Sequence, residues 1–276
     1  MYDILNSYDP ITLAEMTSVK LLNRTDTKFV TTISQLRSLL LMAQQQYRVQ
    51  TVDGKRMANY YTVYYDTPRH DLYMAHHNGC AGRQKLRIRS YVDSRLNFLE
   101  VKTKNNHGRT HKERIAFDSF DAMRPDHNLV FDANDAYTQF VCQHICCDAS
   151  LLGQQLENRF RRITLVNRAM TERLTIDTSL VVDNLQTGRH ADLSSLAIIE
   201  LKRDGLQPSP VLGMLRQLRI APMGFSKYAV GTALTNTEVK SNRLKPRLRK
   251  IWKMNCGNIL NVDNVLNTDL SGFSGC

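Results

Sequence analysis

The most constraining feature of this sequence is a run of basic residues at alternate positions that begins at Arg83. Four cations and a tyrosine with apolar residues between them predict a strand with one cationic face: Arg83, Lys85, Arg87, Arg89 and Tyr91. After a short turn, Glu100 and Lys102 share one face of a predicted hairpin partner. Like charges on one face of a hairpin lie about 5 Å apart across the strands and repel one another. We therefore expect an anion to bind between them.

Length and composition indicate one globular domain with an anionic partner. The chain has 276 residues, of which 42% are hydrophobic, enough for a sizeable core. Its formal net charge of +11 favours nucleic acid, a phosphate-rich metabolite or an anionic membrane surface as partner. The sequence has no run of eighteen apolar residues and no signal-like start. We predict a soluble, cytoplasmic protein without a transmembrane segment.

The six cysteines do not have the spacing of a zinc site or of a disulfide framework. Cys142 and Cys146 are four residues apart on a predicted helix, but a second pair of ligands is not evident in the sequence. We expect buried thiols in a reducing compartment.

Several other segments repeat the pattern of charge at period two. A half-exposed sheet with its charges toward water explains any one of them. About seven such strands together, with few acids, are better explained by an α+β fold in which a closed barrel with a polar lumen carries helices on its outer face. Guanidinium and ammonium groups around such a lumen suit a linear polyanion. The further charged segments are Arg24–Val30, Arg109–Phe117, Arg159–Arg168, Glu172–Asp177 and Ala197–Lys202.

These segments carry a set of motifs in a fixed order along the chain. The motifs are Arg24-x-Asp26-x-Lys28-Phe29, Tyr65-Asp66-Thr67-Pro68, Lys85-x-Arg87-x-Arg89-x-Tyr91, Glu100-x-Lys102, Gly108-Arg109-Thr110-x-Lys112, Arg173-x-x-x-Asp177, Ile199-Glu200-x-Lys202 and Phe225-Ser226-Lys227-Tyr228. The set resembles the VTC domain, the polyphosphate polymerase domain of the vacuolar transporter chaperone complex and its bacterial relatives, within the triphosphate tunnel metalloenzyme or CYTH-like superfamily. The resemblance extends from about Leu21 to Leu234, which predicts a tunnel domain at residues 1–238 and a basic, then polar, C-terminal tail at 239–276.

The resemblance implies a closed tunnel of eight antiparallel strands with flanking helices, which binds a triphosphate together with Mn²⁺ or Mg²⁺. In the polymerase members, ATP donates its terminal phosphoryl group to a growing polyphosphate chain. Glu200 is the implied metal ligand, with an ion pair to Lys202 or an arginine as the alternative, and Glu100 either binds metal or orients a lysine. The implied catalytic, phosphate-contacting residues are Lys28, Arg87, Arg89, Lys102, Arg162, Arg173 and Lys227, supported by Lys85, Lys112, Lys202 and Ser226.

One departure bears on which branch of the superfamily the chain resembles. The hydrolase branch begins with Glu-x-Glu-x-Lys, whereas this sequence has Arg24 and Asp26 before Lys28. The loss of acidic residues argues against a hydrolase that binds two metal ions and favours the polymerase branch. The partners predicted for a polymerase are ATP and polyphosphate or pyrophosphate. A tripolyphosphate or nucleoside triphosphate hydrolase and a non-catalytic polyphosphate-binding module remain alternatives. A specific nucleic-acid partner is not expected, because base-stacking aromatics are sparse. The basic tail is expected to contact an anionic polymer or a membrane surface.

Overall fold

A computed structural model describes residues 1–16, 24–106, 109–118, 131, 135–205 and 207–255. Within these ranges the strands form one sheet, which is antiparallel except where β1 pairs with β3. The strands are β1 (Pro10–Thr12), β2 (Arg24–Thr32), β3 (Tyr47–Thr51), β4 (Ala58–Asp66), β5 (Gln84–Tyr91), β6 (Leu96–Lys104), β7 (Thr110–Ala116), β8 (Gly153–Asn167), β9 (Glu172–Asn184), β10 (His190–Leu193) and β11 (Leu196–Asp204). The helices are α1 (Tyr2–Asn6), α2 (Leu13–Met16), α3 (Ile33–Ala43), α4 (Asp71–Asn78), α5 (Ala136–His144), α6 (Pro210–Gln217), α7 (Lys227–Thr235) and α8 (Lys245–Asn255).

The basic hairpin forms as its alternating sequence predicts. Leu86 and Ile88 of β5 are fully buried in an apolar cluster with α5, so the cationic positions between them face the other side of the sheet. The register places Arg87 opposite Glu100 and Lys85 opposite Lys102. An acid therefore lies beside one arginine of the row, while the two lysines are left facing each other.

The prediction of a closed barrel of eight strands is wrong in two respects. The main path, β2-β11-β9-β8-β4-β5-β6-β7, has eight strands, but three short strands pair outside it. Within the described ranges, β2 and β7 at the two ends of that path do not pair with each other. The edge of β2 is covered instead by the chain after α6, where Pro222 bridges to Phe29 and the Met223 amide donates to the Lys28 carbonyl at 2.8 Å. Because this segment occupies backbone groups of β2, β7 cannot complete the barrel there.

Helices cover both faces of the sheet. On the outer face, α3 and α6 enclose one apolar cluster and α5 encloses another. On the inner face, α7 and α8 pack in a third cluster with Val30, Leu156, Phe160 and Ile198. This cluster fills part of the space inside the curled sheet, so only the remaining part is lined by charged side chains.

The boundaries of several elements differ from the predicted ones. A helical stripe of apolar residues predicts a helix over Ser34–Gln46 with Ser34 as its N-cap. Helix α3 instead begins at Ile33, because the Thr32 hydroxyl accepts from the Gln35 amide. Helical spacing likewise predicts a helical insertion at residues 118–157, but strand β8 begins within it, at Gly153. Part of that insertion (119–130 and 132–134) lies outside the described residues. The described cysteines are free, and Cys80, Cys142 and Cys146 are exposed, so the prediction of buried thiols is wrong for them.

The predicted C-terminal tail begins with structure. Residues 245–255 form α8, which buries Leu248 and Ile251 against the inner-face cluster, and residues 256–276 lie outside the described part of the chain. The division at residue 238 stays a prediction. None of the helices in the described ranges is long and apolar enough to cross a membrane.

Candidate functional site

The charged side chains predicted from sequence lie on the inner face of the sheet. In β2, β11 and β9, the register aligns Lys28 with Glu200 and Thr175, and in the next row Lys202 with Arg173. In β5, β6 and β7, Glu100 lies between Arg87 and Arg114, and Lys102 lies between Lys85 and Lys112. The row partners of each acid are thus mainly cations, contributed by separate segments of the chain.

The curl of the sheet brings β2 and β5 together at the start of α7. Lys85 of β5 donates to the Ser226 hydroxyl at 2.9 Å, and Lys28 of β2 donates to the Phe225 carbonyl at 3.1 Å. Burial lowers the pKa of Lys85 to about 7, and repulsion from nearby Lys28 and Arg87 contributes. Two strands that are far apart in the sheet order therefore place ammonium groups on one short segment.

Glu100 is held between two cations in the wall of the site. One of its carboxylate oxygens accepts from Arg87 Nε at 2.8 Å and Nη2 at 2.5 Å, and Lys112 Nζ lies 3.5 Å from the other. Only 1% of the Glu100 side chain is exposed. Burial by itself would raise its pKa, but Arg87 and the neighbouring Arg89 and Lys102 lower it to about 2. The carboxylate is therefore charged and fixes the Arg87 guanidinium.

Glu200 has a more open arrangement. It pairs with Lys202, and Lys28 Nζ lies 3.7 Å from its other oxygen. Burial opposes ionisation, but these two lysines lower the pKa of Glu200 to about 2. Its side chain is 23% exposed, so the carboxylate is accessible from the interior of the site.

Asp177 anchors a third group of charges and was not among the predicted site residues. It accepts from Arg162 Nε at 2.6 Å and Nη2 at 2.8 Å, and Lys227 pairs with it. Burial by itself would raise the pKa of Asp177, but the two cations have the larger effect and hold the pKa well below its usual range. Burial is the largest effect on Lys227, whose pKa falls to about 8. The sequence signal was the Arg173-x-x-x-Asp177 spacing, which puts both residues on one strand face.

Two aromatic rings support the same cations, and the sequence did not single them out. Tyr60 and Phe160 stack with their centroids 5.0 Å apart. The Arg162 guanidinium lies 4.9 Å from the Tyr60 ring centroid, and Lys227 Nζ lies 4.1 Å from that of Phe160. Such contacts stabilise a cation without using its N–H donors.

The structure thus brings the predicted cations into one space in which they outnumber the carboxylates. Arg89 is buried beside Arg87 and Arg162, and burial lowers its pKa to about 10. Burial likewise lowers the pKa of Lys102, Lys112 and Lys202. In the described part of the chain, histidine, cysteine and acidic residues do not gather in groups of three that could hold a metal ion. The arrangement is suited to binding a compact or linear polyanion.

Comparison with known families identifies the family of this chain. The family model of the VTC domain matches residues 23–236, which is most of the chain. The chain therefore belongs to the VTC domain family. None of the curated proteins matches the sequence.

Solved structures with a similar arrangement include three proteins described as proposed adenylate cyclases. One from Vibrio parahaemolyticus shares 10% identity, with a TM-score of 0.43, over 76% of this chain and 97% of the other. One from Bacillus halodurans shares 13% identity, with a TM-score of 0.46, over 74% and 96%. A third, from Hippeastrum, is described as having a dominant triphosphatase activity and shares 18% identity, with a TM-score of 0.42, over 75% and 94%. With TM-scores below 0.5, these similarities carry no further conclusion for the chain.

Proposed function

We propose that this protein is a polyphosphate polymerase that transfers the terminal phosphoryl group of ATP to a polyphosphate chain. The observation that supports it is the convergence of basic side chains from β2, β5, β6, β7, β8, β9, β11 and α7 on one space with few carboxylates. The proposal also rests on membership of the VTC domain family. In the reaction, the bond from the γ-phosphorus to its bridging oxygen breaks, ADP leaves, and the terminal oxygen of the acceptor chain forms the new bond.

The chain's own residues would act by position and charge. Phosphoryl transfer requires neutralisation of the oxygens around the transferred phosphorus and an in-line approach of donor and acceptor. Arg87 and Arg162, each oriented by a carboxylate, present fixed donors to phosphate oxygens. Lys28, Lys85 and Lys227 lie around the start of α7 and supply compact positive charges. The remaining phosphate contacts proposed are Arg89, Lys102, Lys112, Arg173 and Lys202, with Ser226 holding Lys85.

A divalent ion, Mn²⁺ or Mg²⁺, fits beside Glu200. Mg²⁺ is commonly bound by one or two carboxylates together with substrate phosphates, so a dedicated cluster of protein ligands is not required. Glu200 is charged and accessible, and an ion beside it would lie next to the phosphate contacts proposed for Lys28 and Lys202. When bound, the ion would neutralise phosphate oxygens. Glu100 was a second metal candidate, but its contacts favour orientation of Arg87.

Product analysis separates the polymerase from its alternatives. Purified protein is incubated with ATP and Mn²⁺, and the products are separated on a polyphosphate gel. A ladder of chains is the expected result. Orthophosphate released from tripolyphosphate without a ladder would identify a hydrolase, and phosphate binding without turnover would identify a binding module; either result contradicts the polymerase. The cytoplasmic location stays a prediction.

Two substitutions test the assignment of the site. Lys28→Ala and Glu200→Gln should each abolish turnover while the fold persists, because each removes charge from an accessible part of the site. Arg37→Ala provides the control, since Arg37 is an exposed cation on α3. Circular dichroism checks the fold of all three variants. Full turnover in both site variants would show that these residues do not form the reaction centre.

A further inference from the structure

The face of α8 that points away from the core is basic and has no acid. The helix reads KPRLRKIWKMN. Leu248 and Ile251 are 2% and 0% exposed, so the helix is fixed on the sheet by its apolar side. Its exposed cations are Lys245, Arg247, Arg249, Lys250 and Lys253.

The spacing of these cations makes a continuous stripe. Arg247, Lys250 and Lys253 follow one another at intervals of three residues, which makes each a neighbour of the next on the helix surface. Like charges that neighbour one another on a helix surface repel and so destabilise the helix. Because α8 itself contains no acid to offset them, an external anion would stabilise the stripe.

One end of the stripe lies beside the phosphate site. A Cβ atom built on Gly224 would lie 3.8 Å from the Arg247 guanidinium carbon, and Gly224 directly precedes Phe225 and Ser226, which hold Lys28 and Lys85. The pKa of His76 in α4 is also consistent with Arg247 lying near the cations of the site. This pKa is lowered to about 3 by burial and then by Lys85, Arg83, Arg247 and Lys28. Cations of the site and the first cation of the stripe therefore act electrostatically on the same side chain.

We propose that the Arg247–Lys250–Lys253 stripe binds the part of a polyphosphate chain that extends outside the curled sheet. The stripe continues the positive surface of the site, so one linear polyanion can contact both. The proposal rests on the proposed function only in that the site binds phosphate chains; it does not require turnover.

The structure favours polyphosphate, rather than a membrane surface or a nucleic acid, as the ligand of the stripe. A helix that binds a membrane surface inserts an apolar face, whereas the apolar face of α8 is buried in the protein. A single-stranded nucleic acid is held partly by aromatic stacking, and Trp252, the aromatic residue of α8, packs against the core. Only charge is presented, which matches a ligand made of phosphate alone.

The test compares long-chain polyphosphate with tripolyphosphate as probes of the full-length protein. Lys250→Gln/Lys253→Gln should weaken binding of long-chain polyphosphate about fivefold, because exposed ion pairs are individually weak. Binding of tripolyphosphate should not change, because a ligand of three phosphates can be held by the site itself and Lys250 and Lys253 lie about one and two helical turns beyond Arg247. Arg37→Gln/Arg216→Gln removes the same charge from exposed positions on α3 and α6 and is the matched control.

Each outcome decides the matter. Selective loss of long-chain binding in the α8 variant supports the proposal, and Lys250→Glu/Lys253→Glu should then show a larger loss. Unchanged long-chain binding, or an equal loss in the control, overturns it. Loss of binding to phosphatidylserine vesicles or single-stranded RNA, with long-chain polyphosphate binding intact, overturns it in favour of those partners. Thermal unfolding monitors the fold, and absence of tripolyphosphate binding to the wild type would contradict the proposed function separately.

Discussion

Lys85 and Lys227 are two buried lysines of the site whose pKa values lie close to neutral pH. Burial is the main cause of their lowered pKa values, about 7 and about 8. Neighbouring cations add to the effect at both, whereas Asp177 offsets it at Lys227. A bound polyanion favours the charged form of each amine and raises its pKa. The site should therefore take up protons when phosphate binds near neutral pH.

We predict that tripolyphosphate binding at pH 8 is accompanied by proton uptake. Calorimetry in buffers of different ionisation enthalpy measures the number of protons. Lys85→Met should reduce this number, and comparison with the wild type subtracts titration of the ligand itself. Equal uptake in both proteins would show that Lys85 does not face the anion.

Without ligand, the pKa of Lys85 in the folded state lies below the unfolded value of 10.5, so the Lys85 contribution to stability rises with pH between about 7 and 10.5.

Glu100 illustrates the cost of an unpaired buried charge. We predict that Glu100→Gln lowers the free energy of unfolding by about 3 kcal/mol, because the buried Arg87 loses its anionic partner. Chemical denaturation measures the change. Asp9→Asn, at an exposed ion pair with Arg168, should have almost no effect. The double variant Glu100→Gln/Arg87→Met should lose less stability than Glu100→Gln alone. An equal loss in the double variant would show that the unpaired Arg87 charge is not the cause of the destabilisation. The pKa of Glu100 is lowered from 4.5 to about 2, so its stabilising contribution is lost as pH falls through that window.

At the scale of elements, the position of α7 sets the geometry of one side of the site. Its first turn carries Lys227, and its N-cap Ser226 accepts both from the Ala229 amide and from Lys85. Near its middle, Gly231 lies against the sheet. A Cβ atom there would come within 2.7 Å of Val182 Cγ1 and 2.8 Å of Leu156 Cδ2. The close approach of helix and sheet thus depends on the missing side chain.

The same substitution at two glycines should have opposite effects. Gly231→Ala is predicted to lower the free energy of unfolding by about 1 kcal/mol, because the overlap with Val182 and Leu156 outweighs the gain in helix propensity. Gly213→Ala, on the exposed side of α6 where a Cβ atom meets nothing within 4 Å, should raise it by up to about 1 kcal/mol. Urea denaturation distinguishes the two. Stabilisation by Gly231→Ala would show that α7 can move away from the sheet at little cost.

At the scale of the whole molecule, the excess positive charge should make the folded state bind an anion more tightly than the unfolded chain does. The net charge is +11, and much of it converges on the inner face of the sheet or continues along α8. Folding brings these cations together, which costs free energy that a bound polyanion offsets.

We predict that tripolyphosphate at one hundred times its dissociation constant stabilises the protein by about 2.7 kcal/mol, which corresponds to a rise in melting temperature of about 5–10 °C. Differential scanning fluorimetry measures the shift. Sodium chloride at equal ionic strength is the control for general screening. A variant carrying Arg87→Met and Arg162→Met should show a much smaller shift, and a full shift in that variant would place the anion elsewhere.

Much of the site could be predicted because strand periodicity is a local property. Lys85, Arg87 and Arg89 alternate with apolar residues. Burial of the apolar side chains on one face of the strand therefore turns the cationic side chains toward the opposite face. The register between strands depends on turns and on pairing that the sequence does not display. The roles of Asp177, Tyr60 and Phe160 were therefore missed, since their contacts with Arg162 and Lys227 arise only when β4, β8, β9 and α7 meet.

The sequence by itself determined the VTC family, the charged strand faces and the basic character of α8, because these depend on residue order within single segments. Only the tertiary structure decided that the sheet stays open at β2, where Pro222 and Met223 occupy the edge. It also decided that Glu100 is enclosed by Arg87 while Glu200 remains accessible. The physical reason is that these outcomes depend on which distant segments compete for the same backbone groups and charges once the chain has folded.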